Sequence, residues 1–206
     1  AWLLRGHTLR RMGDFDGALQ SFAQALRSND ESEEGWMGLA ACLHELRRYK
    51  EEVEAYDQLI KLHPRFVEAW INKGAALHDL KDYEGAIACY DKVLALRPEH
   101  AAAWNNKGGT LLRLGRSGEA ADAFRHVVAM TPGHGPAWYN LGLAEMELGN
   151  PAAAGEAFEK ALDIEPSLAD AWYQKGLAHE KLGQQAAAVA SFDRALALDG
   201  AAGAAW

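Results

Sequence analysis

Cysteine, proline and long hydrophobic stretches are all scarce in this chain. Cys42 and Cys89 are the only two cysteines among 206 residues. Two cysteines make no disulfide framework, and both fall in helical, apolar contexts, so buried reduced thiols are expected. No apolar run approaches the roughly 20 residues that a membrane-spanning helix needs. No signal segment is recognisable, and a cytoplasmic setting is the expectation. Basic charge is also short, with 21 Lys and Arg against 29 Asp and Glu, a net charge of −8. The first 50 residues balance at seven of each, so the later residues hold the whole acidic excess. Nucleic acid is therefore not an expected partner, because phosphate neutralisation dominates such binding.

Catalytic constellations are missing too. Lys107-Gly108-Gly109 lies inside a helical pattern and lacks phosphate-loop spacing. There is no His-Glu-x-x-His. No Ser or Cys has a His partner at helical spacing. No catalytic residue, cofactor or metal is expected.

What the chain does have is a period. Its seven tryptophans are Trp2, Trp36, Trp70, Trp104, Trp138, Trp172 and Trp206, each 34 residues after the last. A strict period of this size marks a repeat array whose units stack on one another. Each unit holds two apolar stretches of helical periodicity, about 12–14 residues each, separated by a short break. Helices that short must pack to persist. The units run 1–32, 33–66, 67–100, 101–134, 135–168 and 169–202, and residues 203–206 open a seventh. The chain thus reads as a piece of a longer array.

The punctuation repeats as well. Gly13, Gly115, Gly149 and Gly183 stand where a helix would end in a left-handed residue. Arg47 and Lys81 take that place in two units, at an expected cost of about 1 kcal/mol each. Asp82 and Asn150 are expected caps, with Pro151 at the first helical position. Pro64, Pro98, Pro132 and Pro166 end four second helices, while Asp30 and Gly200 replace Pro in the first and last units. A small-residue column on the first helices (Gly6, Ala40, Gly74, Gly108, Gly142, Gly176) is expected to cross an alanine column on the second. Glu52 interrupts that alanine column. Four residues on comes an aromatic column, Phe22, Tyr56, Tyr90, Phe124, Phe158 and Phe192, expected to fill clefts between units.

These residues resemble the tetratricopeptide repeat family, in which Trp, Leu-Gly, Tyr, Ala, Phe and Pro recur every 34 residues. In the fifth unit the match runs Trp138, Leu141-Gly142, Ala154, Phe158, Ala161 and Pro166. The resemblance implies an all-α, right-handed superhelical solenoid of antiparallel helix pairs. It also implies a concave surface lined by the first helices, which holds an extended partner segment. The implied function is a non-catalytic protein- or peptide-binding scaffold. The rival readings are a recruiting arm of a larger enzyme, such as a transferase, and a self-assembling module. The Lys/Asn/Lys/Arg clamp with which some members grip a terminal carboxylate is not found, and Arg113 alone is a weak substitute.

Departures from the family pattern give further expectations. Arg5, Lys73, Lys107 and Lys175 sit where Leu is usual, and their stems should pack while their charges reach water. Glu52 should reach the surface, since an unpaired buried carboxylate is costly. Glu145 and His179 replace Leu in one column and are candidates to pair with each other, or to be solvated separately. The five interior tryptophans should be largely buried, and Trp206 exposed or packed on a neighbour.

The resemblance places the binding residues in the groove. His44 and His78 lie one unit apart with Glu45 and Asp79 beside them, and they are expected to line the groove without metal. Asn105, Arg113, Tyr139, Leu143, Tyr173 and Leu177 face the same surface. Asn72, Asn106, Asn140 and Gln174 form one column on four successive first helices. A carboxamide both donates and accepts, so this ladder can hold a peptide backbone. End-to-end association is a further expectation, because Val189, Phe192, Ala195 and Leu196 present an apolar face that a next unit would cover.

Overall fold

The computed structural model describes residues 1–203, with side chains as far as residue 199. Among these residues there are twelve helices and no strand. They form two compact units, residues 1–103 and residues 104 onward. Trp206 lies outside the described residues.

The first unit contains α1 (Trp2–Arg11), α2 (Phe15–Ser28), α3 (Glu33–Glu45), α4 (Tyr49–Leu62), α5 (Val67–Asp79) and α6 (Tyr83–Leu96). Each packs on the next, and α1 also touches α3. The second unit contains α7 (Ala101–Arg113, apart from its first three residues), α8 (Ser117–Met130), α9 (Gly135–Glu147), α10 (Pro151–Ile164), α11 (Ala169–Lys181) and α12 (Gln185–Gly203). There α8 through α12 pack in sequence, and α9 also touches α11. The last helix runs past Gly200, 19 residues against 14 for the other second helices. Proline follows four of its counterparts; glycine weakens a helix without breaking its backbone bonding.

The breaks follow the sequence closely. Gly13, Gly115, Gly149 and Gly183 all have positive φ, and Arg47 and Lys81 are forced into the same region at φ 55° and 63°. The starts of four second helices are then fixed in one of two ways. Asp14 and Asp82 accept from the backbone N–H of Gly17 (2.9 Å) and Gly85 (3.1 Å), positions with no room for a Cβ. Arg48 and Arg116 instead hold Glu51 and Glu119 through pairs of hydrogen bonds, 2.7 and 2.6 Å for the first. Both glutamates are lowered below the usual carboxylate range by those arginines. Asn150 stands at the helix start but does not cap it with its side chain, because its amide donates to Glu145 Oε2 (2.9 Å).

The glycine column does not simply meet the alanine column. A Cβ on Gly74, Gly142 or Gly176 would strike Tyr90, Phe158 or Phe192 at 2.4–2.6 Å. Each glycine therefore seats the aromatic ring of its own unit's second helix. Phe22 is held from two sides, by Gly6 on α1 and Gly38 on α3. Five of the six rings in this column are buried, and Phe192 is half-buried.

The interior tryptophans are half-buried rather than enclosed. One edge is anchored: the indole N–H donates to the carbonyl six residues earlier, Trp70 to Pro64 (2.9 Å), Trp138 to Pro132 (2.8 Å) and Trp172 to Pro166 (2.9 Å). Trp36 makes the same bond to Asp30 (2.6 Å), so the anchor needs the turn and not the proline.

The charges that replace Leu are not merely solvated. Lys73 reaches back to Asp57 on α4 (2.6 Å), and Lys175 to Glu159 on α10 (3.4 Å). Their ammonium groups also lie 5.8 and 5.6 Å from the Trp70 and Trp172 ring centres, within cation–π range. Arg5 donates to Ser21 (2.5 Å).

Candidate partner-binding faces

Glu52 corrects the first expectation. It is 2% exposed, and it is buried because its carboxylate bonds His44 Nδ1 (3.1 Å) on the preceding helix. Burial pushes its pKa up, His44 pulls it back down, and the charge of Asp79 on α5 adds to the rise. Glu145 and His179 do not pair with each other. Glu145 is 3% exposed and is bonded by Arg125 of α8 and by Asn150. His179 bonds Gln184 (2.6 Å). Each carboxylate in the helix interior thus has its own partner, which burial demands.

The predicted groove residues divide between the two units. In the first, His44 is spoken for by Glu52 and rests edge-on to Tyr49, while His78 rests edge-on to Tyr83 (5.2 Å). Asn72 is hydrogen-bonded to the Tyr56 hydroxyl, and burial raises the pKa of that tyrosine strongly. No cluster of His, Cys, Asp or Glu suited to a metal occurs among the described residues. Cys42 and Cys89 are buried and unpaired, and burial pushes the Cys89 thiol up to about 11.

In the second unit, Asn106 on α7, Asn140 on α9 and Gln174 on α11 share one column and are partly exposed. Asn140 and Gln174 make no hydrogen bond among the described residues. Asn105 beside them has a buried Oδ1 with no partner. Tyr139 tilts onto Phe158 (5.8 Å) and Tyr173 onto Phe192 (5.6 Å), and Tyr173 remains 51% exposed. Leu143 and Leu177 are partly exposed one turn further along, and Arg113 is exposed at the end of α7. Burial raises the Tyr139 pKa, and the charge of Asp170 adds to it, which places α11 beside that ring. The second unit therefore offers unspent amides next to uncovered rings, and the first does not.

The tetratricopeptide repeat model matches residues 3–60, 53–95, 82–135, 110–169 and 139–205. The chain belongs to the tetratricopeptide repeat family. Its fold is the all-α solenoid of helix pairs found in that family, whose members bind protein partners and are generally non-catalytic scaffolds. MamA from Desulfovibrio magneticus RS-1 is 26% identical, with a TM-score of 0.77 over 81% of this chain and 94% of that one. PilW, a widely conserved type IV pilus biogenesis factor, is 25% identical, with a TM-score of 0.76 over 92% of this chain and 88% of its own. YrrB, a tetratricopeptide repeat protein with an unusual peptide-binding site, is 19% identical and similar in fold, with a TM-score of 0.76 over 87% and 93%. No curated protein matches the sequence. No described helix is long and apolar enough to cross a membrane.

Sequence reasoning missed the carboxylate partners. His44 stands eight residues before Glu52, and Arg125 stands 20 before Glu145. Only the helix-pair geometry turns those separations into contacts.

Proposed function

We propose that this protein is a scaffold that holds an extended segment of a partner protein along α7, α9 and α11. The partner backbone lies on Asn106, Asn140 and Gln174, and its apolar side chains rest on Tyr139, Leu143, Tyr173 and Leu177. The observation that carries this reading is the pair of partly exposed amides with no bond of their own. The spacing supports it. Packed helices lie about 8–10 Å apart, and an extended chain rises about 3.3 Å per residue, so every third residue meets an amide. Asn72 continues the column in the first unit, but its amide is shared with Tyr56. It is therefore a weaker rung, and Asn72→Ala would disturb packing as well as binding.

The test uses a partner captured with the intact chain. Replacing Asn106, Asn140 and Gln174 together by Ala is expected to weaken binding about tenfold or more, given about 0.5–1.5 kcal/mol per hydrogen bond. Circular dichroism is expected to be unchanged. Full affinity in a folded triple variant would refute the ladder.

A further inference from the structure

A cleft of 320 Å³ opens between α2 and α4 of the first unit. Its apolar lining is Leu19 and Ala23 from α2, Trp36, Leu39 and Leu43 from α3, and Ala55 from α4. Four of these, Leu19, Ala23, Trp36 and Leu39, are only partly buried.

The neighbouring repeat shows what normally fills such a cleft. The positions equivalent to Ala23 and Leu39 are Asp57 and Lys73, which form an ion pair at 2.6 Å with the lysine over the Trp70 ring. Glu159 and Lys175 do the same beside Trp172. Between the first and second repeats both charges are replaced together by apolar residues, Ala23 and Leu39. The space that the lysine stem would take is left open, and the flanks of Trp36 and Leu39 stay uncovered.

We propose that this cleft is a socket for one bulky apolar side chain, leucine or phenylalanine in size, presented by a partner protein segment with a lysine or arginine beside it. At 320 Å³ the cleft lies at the lower end of the roughly 300–1,000 Å³ range of small-molecule pockets, so one leucine- or phenylalanine-sized side chain fits with room to spare. The mouth sets the charge. Arg48 is already bound to Glu51 at 2.6 Å, which leaves Glu54 exposed and in no ion pair among the described residues. A cation next to the anchoring side chain therefore meets a carboxylate, and an anion meets repulsion. The socket is independent of the proposed segment site on α7, α9 and α11, which lies in the other unit.

The test titrates three capped dipeptides into the 206-residue chain: N-acetyl-Phe-Lys-amide, N-acetyl-Phe-Glu-amide and N-acetyl-Ala-Lys-amide. The Trp36 indole N–H and the Leu39 methyls are followed by NMR. Saturable shifts at both are expected with Phe-Lys. Phe-Glu should bind about two- to fivefold more weakly, as an exposed charge pair allows, and Ala-Lys should give no saturable shift. The double variant Ala23→Asp/Leu39→Lys installs the ion pair of the next repeat and should abolish the Phe-Lys response. Ala23→Leu fills the socket without charge and should do the same, so the test stands if the double variant does not fold. Absence of a saturable Trp36 shift, an equal response to Ala-Lys, or full binding by Ala23→Leu would overturn the proposal.

Discussion

At the scale of single residues, the chain tolerates buried charge by pairing it. Glu52 sits where other repeats have alanine, and its buried carboxylate bonds the half-exposed His44. Removing His44 strands a buried carboxylate, so His44→Ala should cost about 1–3 kcal/mol in urea melts at neutral pH. Glu52→Ala/His44→Ala should recover most of that loss, because alanine is completely buried at this position in Ala86, Ala120 and Ala154. The pH dependence follows from the direction of the shift. The folded Glu52 holds its proton to higher pH than the unfolded chain does. Its contribution is therefore fully present below about pH 4.3, the unfolded carboxylate value, and is lost as pH rises through the folded value. Glu52→Gln should flatten that part of the stability curve. A curve of unchanged slope in Glu52→Gln would contradict this account. The sequence showed that Glu52 was out of place but not where it goes. Burial and partner choice depend on α3 lying against α4, and no local pattern encodes that contact.

At the scale of elements, the helix ends were the most legible part of the chain, because glycine, proline and acidic caps act within a few residues of themselves. Arg47 and Lys81 were recognisable as residues in a glycine's place, and both hold the left-handed conformation, at φ 55° and 63°. Arg47→Gly and Lys81→Gly should each stabilise the fold by about 1 kcal/mol, read as a raised urea midpoint at constant slope. Destabilisation by both would mean that the side chains make contacts worth more than the strain. Legibility failed where an end depends on what is absent. Gly200 gives no firm stop, and α12 continues to Gly203. The tryptophan column is plain in the sequence, but its half-buried state is not, because periodicity fixes a face and not the depth of burial.

At the scale of the whole molecule, the family and the helix-pair architecture were readable from the 34-residue period alone. The division of chemistry between the two units was not. Amides of one column look equivalent in sequence, yet Asn72 is bonded to Tyr56 while Asn140 and Gln174 are unspent. The difference follows the aromatic column: the counterparts of Tyr56 for Asn140 and Gln174 are Phe124 and Phe158, and a hydroxyl offers a partner where a phenyl ring does not. The same scale shows an uncovered apolar strip on α12. Leu196 is 68% exposed and Val189 58%, whereas the equivalent Leu162 is 5% exposed. This 206-residue chain should therefore associate at high concentration, and Leu196→Glu should suppress that in sedimentation velocity runs. The central claim, a partner segment lying along the first helices of the second unit, is tested most directly by site-specific photo-crosslinking. A benzophenone side chain would replace Leu143 on α9 in one chain and the exposed Glu156 on α10 in another. Crosslinks to the captured partner from position 143 and not from 156 are the predicted result. Crosslinks from 156 alone would contradict it.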